Sequence, residues 1–172
     1  MHRFSTPTRS PITAILTTLL LLLITATPAR AWVDPTTTAP SATQVLRPAE
    51  IPKRNWQPGH RGVDLAAEPG ARIYAAGEGT VHFAGTIAGT PVVSIHHPEG
   101  FRTTYQPVRT TLKKGEVVAE GDAVGMLAYT PPNAPNAHLG LHWGALRGKD
   151  GYFDPLTLLD PPRIRLKPLN AG

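Results

Sequence analysis

Residues 137–144 read AHLGLHWG, and the alternation within this octet decides how the chain folds. Successive side chains of a β-strand point to opposite faces. On a strand, Leu139, Leu141 and Trp143 therefore share one apolar face suited to a core, and His138, Gly140 and His142 share the other. A rise of about 3.3 Å per residue would put the Cα atoms of positions 138 and 142 roughly 13 Å apart. Zinc holds its ligands at about 2 Å. A regular strand thus offers one ion at most one of these two histidines, and only a bulge would swing His138 inward beside His142. Gly140 leaves an open notch between them.

Short β-branched or alternating runs recur upstream: ARIYAA (71–76), GTVHFAGT (79–86), PVVSIHH (91–97), FRTTYQPV (101–108), EVVAEG (116–121) and AVGMLAY (123–129). Gly, Pro or charged turn residues separate them at close spacing, the pattern of an all-β domain of short strands. The expected fold is a small antiparallel β-sandwich or barrel-like domain. His97-Pro98-Glu99-Gly100-Phe101 reads as a hairpin turn, with Gly100 supplying the positive φ. Segments 68–81 and 112–125 share a Gly-x-x-(Ile/Val) entry followed by Ala, Gly and Val, which hints at an internal repeat. After the 137–144 strand, Tyr152-Phe153-Asp154-Pro155-Leu156 pairs aromatic burial with a turn. Leu156, Leu158 and Leu159 are expected to close one edge of the core, with Tyr152 either part of that closure or a groove wall.

The chain of 172 residues begins with a segment of different character. Residues 1–31 carry Arg3 and Arg9, the 15-residue apolar run ITAILTTLLLLLITA (12–26) and Ala29-Arg30-Ala31. This is the basic, apolar and small-residue order of a secretory signal. The apolar run is short for a span of about 20 residues, so cleavage is expected, leaving no stable membrane span and an extracytoplasmic, cell-wall-associated domain. Of 17 Lys and Arg, three lie in residues 1–31, leaving 14 against 12 Asp and Glu. With a net charge near +2 and no basic cluster, nucleic acid is excluded as a partner. The chain has no cysteine, so no disulfide holds it, and a core, with or without a metal, must do so. Five prolines between 34 and 58 read as an extended linker. The expected organisation is a signal over 1–31, a linker over 32–55, a folded domain over 56–161 and a basic-apolar tail over 162–172.

Imidazole and carboxylate also occur at His60 and Asp64 in PGHRGVDLAA (58–67), and both suit a borderline cation. Pro58, Gly59 and Gly62 argue against a helix there and for a loop entering a strand. On its own a spacing of four residues is weak evidence for a metal site, and a surface ion pair or a satisfied histidine is the commoner explanation.

The ordered set GHRGVDLAAEPGARIYAAGEGTVHFAG (59–85), VVSIHH (92–97), RTTYQPV (102–108), KKGEVVAEGDAVG (113–125) and LHWG (141–144) resembles the lysostaphin-type (LytM-like) zinc peptidases that cut peptidoglycan cross-links. The resemblance spans residues 56 to about 160. It implies a small β-domain with an open groove and a zinc ion held by His60, Asp64 and His142, with a fourth position open to water. It also implies two histidines that assist without binding metal. Their positions hold Gly140 and Pro107 here, and neither residue can move a proton or donate a side-chain hydrogen bond. Losing such assistance typically costs about 10²–10⁴-fold in rate. Candidate substitutes are His138, one alternation from Gly140, and Tyr105, whose hydroxyl could face an oxyanion; for each, an ordinary structural role stands alongside. His96 or His97 should face the groove, and His82 reads as the polar face of an edge strand. Two functions follow from the resemblance. One is a secreted zinc endopeptidase acting on peptidoglycan peptide. The other is a degenerate module that grips wall peptide or regulates a partner cell-wall hydrolase.

Overall fold

The runs marked off by Gly, Pro and charged residues each form a strand. The computed structural model describes residues 32–160 apart from 132, 135 and 136. The expected signal (1–31) and C-terminal tail (162–172) lie outside the described residues. In chain order the strands are β1 (Val45–Arg47), β2 (Val63–Leu65), β3 (Arg72–Tyr74), β4 (Gly79–Ile87), β5 (Thr90–His96), β6 (Phe101–Gln106), β7 (Val108–Arg109), β8 (Val117–Val118), β9 (Ala123–Leu127), β10 (Leu141–Arg147) and β11 (Gly151–Phe153). A 3-10 turn, Pro155–Leu158, follows, capped by the Asp154 carboxylate accepting from the Leu156 N–H. Among the described residues this is the only helical turn, and every strand pair is antiparallel. The all-β expectation is met. The larger sheet runs β1-β2-β10-β6-β5-β4-β8, with β11 on β10, and the smaller runs β3-β9-β7. Neither closes into a barrel.

Alternation does the sorting that the sequence implied. Along β6, Phe101, Thr103 and Tyr105 are buried while Arg102, Thr104 and Gln106 face the other way, half exposed. Leu141 and Trp143 of β10, Val63 and Leu65 of β2, and Val93 and Ile95 of β5 complete the core, all essentially without solvent contact. At about 25 cal/mol per Å² of apolar surface, this burial is what holds a cysteine-free domain together. Leu139 departs from the expectation. It is 66% exposed because β10 starts two residues later, at Leu141. Leu159 does close the core edge. The two segments that hinted at a repeat pair with each other. Ile73 lies opposite Gly125 and Gly79 opposite Val118, and the Gly70 and Gly115 N–H groups donate to Leu127 and Val81.

The segment read as a linker is folded onto the domain instead. Trp32 stacks on Phe101 at 5.4 Å, and the Val33 N–H donates to Ala76. The fully buried Asp34 carboxylate accepts from the Thr36 N–H and hydroxyl and from the Thr43 N–H. β1 then pairs with β2, and Glu50 bridges to His60. Proline is compatible with an edge strand when it flanks the paired residues, and Pro48 directly follows β1. Proline content reported extension correctly but could not report that a sheet edge lay within reach.

Of the two adjacent histidines, His96 lies opposite Arg102 on the face away from the core, and His97 is in the core. Its Nδ1 lies 2.6 Å from the Glu78 carbonyl, which only accepts, so the proton sits on Nδ1 and leaves Nε2 to the Thr103 hydroxyl at 2.7 Å. Burial lowers the His97 pKa, against the pull of the Glu78 carbonyl and the Glu99 charge. A histidine depressed on folding stays neutral in the native state while the unfolded chain takes a proton near pH 6.5. Its contribution is therefore neutral above that pH and lost as pH falls below it. Melting curves recorded in a chelator between pH 7 and pH 5 should show stability declining with acid, and His97→Asn should flatten that decline. An unchanged slope in the variant would show that His97 does not titrate on unfolding.

Candidate metal centre

Cross-strand register gathers the site. β2 and β6 flank β10, setting Asp64 opposite His142 on one side and Gln106 opposite it on the other. These side chains project from the face opposite the core, and Thr104 and Gly144 continue that face away from the cluster.

His60 and His138 reach the same point by a shared local device. Both four-residue spacings contain a central glycine: His60-Arg61-Gly62-Val63-Asp64 and His138-Leu139-Gly140-Leu141-His142. A side chain at Gly62 would place its Cβ 2.5 Å from the Trp143 carbonyl oxygen and 2.8 Å from the His142 ring. Gly140 has φ +70°, and a Cβ there would lie 2.2 Å from the Leu65 carbonyl oxygen. The left-handed conformation and the close approach both require glycine. The turn at Gly140 is the break in the regular strand that brings His138 back over His142, ring centroids 4.0 Å apart. So the glycine between the two histidines is what lets both reach one site.

The Asp64 Oδ1 atom lies at the centre of the cluster. It is 2.9 Å from His142 Nδ1, 2.9 Å from His138 Nδ1 and 3.1 Å from His60 Nε2. His60 Nε2 is in turn 3.0 Å from His142 Nδ1. His60, Asp64 and His142 are buried, and His138 is partly so. Burial alone would raise the Asp64 carboxyl, but hydrogen bonds from His138 and His142 and their charge hold it well below the usual carboxylate range. Burial lowers the His142 imidazole, against the upward pull of the Asp64 hydrogen bond.

The donor set fits a cation. His60 Nδ1 is 2.7 Å from the Pro48 carbonyl, which can only accept, so Nδ1 carries a proton and Nε2 is the nitrogen left to offer a ligand its lone pair. A lone pair facing a carboxylate oxygen at 3.1 Å is repulsive unless positive charge lies between them. Tetrahedral ligands about 2.0 Å from zinc stand roughly 3.3 Å from one another, and the spacings of 2.9 to 3.1 Å among His60 Nε2, Asp64 Oδ1 and His142 Nδ1 need only small outward movements to reach this. His60, Asp64, His138 and His142 could therefore hold a metal. The Pro48 carbonyl that fixes His60 comes from the segment expected to be a linker, and sequence reading had no signal for it.

Other expected site residues lie elsewhere. Tyr105 belongs to the core face of β6, fully buried, its hydroxyl accepting from the Ala76 N–H and bonded to Thr103. It cannot donate to an oxyanion in the groove, because the sheet separates the two faces. His82 and His96 are exposed and outside the cluster, and Pro107 is buried beyond the end of β6. A cavity of about 330 Å³ over the cluster is lined by Ile87, Thr90, Gln106 and the three histidines. A second, of about 240 Å³, continues past Thr104 and Gly144 to Arg102 and Tyr152. Tyr152, 5.7 Å from the Arg61 guanidinium, is thus a groove-wall residue.

An open antiparallel sheet whose grooved face ends in a His/Asp cluster defines a β-domain with a metal-type centre. The chain belongs to Peptidase family M23, whose family model matches residues 58–155. The protein Rv2891 of Mycobacterium tuberculosis is 48% identical over 130 residues, 74% of this chain and 52% of its own length. The chain thus spans about half the length of this relative. Among solved structures, Csd3 of Helicobacter pylori superposes with a TM-score of 0.59 at 28% identity, covering 79% of this chain and 36% of that one. A zinc-containing peptidase from Vibrio cholerae superposes with a TM-score of 0.53 at 24% identity, covering 72% and 40%, a likeness of fold. The lysostaphin-type resemblance read from the sequence is borne out.

Proposed function

We propose that this chain is an extracytoplasmic, zinc-binding M23 domain directed at peptidoglycan, and that it grips wall peptide in the groove as a binding or regulatory module. Membership of the peptidase family and the groove beside the cluster support the choice of ligand, and the signal-like pattern of residues 1–31 supports the location. His60, Asp64 and His142 would hold the zinc, which would supply Lewis-acid polarisation of a carbonyl only where its fourth position stayed open. The chain's own residues supply little else for hydrolysis. The observation that carries this reading is Gly140, whose φ and whose approach to Leu65 leave no room for an assisting side chain. Regulation of a partner cell-wall hydrolase is the natural use of such a module.

A second reading, slow zinc-dependent hydrolysis of peptide cross-links, is favoured by retention of all three expected ligands in one cluster. One experiment separates the two. Zinc-loaded protein mixed with purified peptidoglycan should co-sediment with it and release no new amino termini, and Gly144→Leu, which fills the groove floor, should weaken retention. Zinc-dependent release of amino termini that His142→Ala abolishes would establish hydrolysis and overturn the binding reading.

A further inference from the structure

We propose that His138 is a fourth protein ligand, so that metal in this site is enclosed by three imidazoles and one carboxylate. The inference rests on the reading of the cluster as a metal site and adds to it what closes that site.

Both ring nitrogens of His138 are committed. Nδ1 stands 2.9 Å from Asp64 Oδ1, the same distance as His142 Nδ1. Nε2 stands 3.3 Å from the Gln106 amide nitrogen on β6. In this arrangement the amide N–H donates to Nε2 and Nδ1–H donates to Asp64; turning the amide over, so that its oxygen accepts from Nε2–H, would direct the lone pair at Nδ1 into the cluster. In that orientation Gln106 would do for His138 what the Pro48 carbonyl does for His60, fixing tautomer and ring orientation from outside. An assisting histidine would instead need a nitrogen free to meet substrate, and His138 has none.

The position is built into the chain path. The ring lies over His142 at an interplanar angle of 29° and over His60 at 26°. The turn that puts it there is locked by Gly140 against the Leu65 carbonyl. All four ligand atoms lie within 4.8 Å of one another. Four protein ligands around a tetrahedral ion are the pattern of a closed, structural site, whereas a catalytic site keeps one position open. Such a centre resists displacement by small anions and holds its metal tightly.

Cobalt(II) is the probe, with azide as the competing anion. The cobalt-loaded wild-type chain should show tetrahedral d–d bands that azide leaves unchanged. In His138→Ala the bands should shift with azide, and zinc affinity, measured against a chromophoric chelator, should fall about 10²–10³-fold. Melting of the metal-free variant checks that it folds, and His138→Gln provides a milder second variant. Azide-responsive bands in the wild type, or unchanged zinc affinity in both variants, would overturn the fourth ligand while leaving the three-ligand site standing. A wild-type chain that takes up neither cobalt nor zinc would overturn the metal reading as a whole.

Discussion

Replacing Asp64 with alanine is expected to abolish zinc-induced stabilisation of this domain. Asp64 Oδ1 is the atom that all three imidazole nitrogens of the cluster approach. It is also the only negative charge among them, and its carboxyl is held ionised far below the usual range. Structural zinc sites bind with roughly 10–16 kcal/mol, so one ligand of three or four is worth about 3–4 kcal/mol. The affinity loss is then about 10²–10³-fold. In thermal melts, the wild-type midpoint should rise with zinc and fall back with chelator, as linkage requires of a ligand bound only by the native state. The Asp64→Ala midpoint should barely respond. In the metal-free state the variant should also lose stability, because the hydrogen bonds and imidazole charge outweigh the carboxylate's desolvation. An Asp64→Ala variant that still melted higher with zinc would show that the ion sits elsewhere.

The second large effect is at Gly140. Alanine there would carry a Cβ 2.2 Å from the Leu65 carbonyl oxygen and 3.0 Å from the Ala67 nitrogen, at φ +70°. The left-handed conformation costs a non-glycine residue about 1–3 kcal/mol, and separating the two backbones adds to it. A total near 2–4 kcal/mol corresponds to a midpoint lowered by about 10 °C. Zinc affinity should fall too, since the turn carries His138. The same geometry bears on attempts to install assisting histidines. Gly140→His combined with Pro107→His should destabilise the chain and yield no hydrolysis of peptidoglycan. A double variant with wild-type melting and new activity would show that the backbone at 140 adapts, and that only side chains were missing.

Much of the architecture was legible in local pattern. Alternation placed the seven longer runs as strands, and the Gly100 turn fell where a positive φ was needed. The ligand set His60, Asp64 and His142 came from motif order, and register confirms that Asp64 and His142 are cross-strand neighbours. Tyr105 was misplaced because a tyrosine beside polar residues does not say which face of a strand its hydroxyl will serve. The linker was misread because proline composition describes backbone stiffness and not the edge it meets. The repeated His-x-Gly-x-(Asp/His) pattern at 60–64 and 138–142 was the available signal for His138. Its meaning depended on where the chain turned.

By itself the sequence determined the all-β class, because strand alternation is a local property, and through its resemblance the family and the three side chains expected to hold a metal. Only the tertiary structure decided that His138 joins them. That outcome rests on a glycine passing against the Leu65 carbonyl of another strand, on Gln106 standing opposite His142, and on Pro48 reaching His60 from a segment that looked like a tether. Each is a contact between residues distant in the chain, set by how strands register against one another. Proximity of that kind is not written in residue types or spacings.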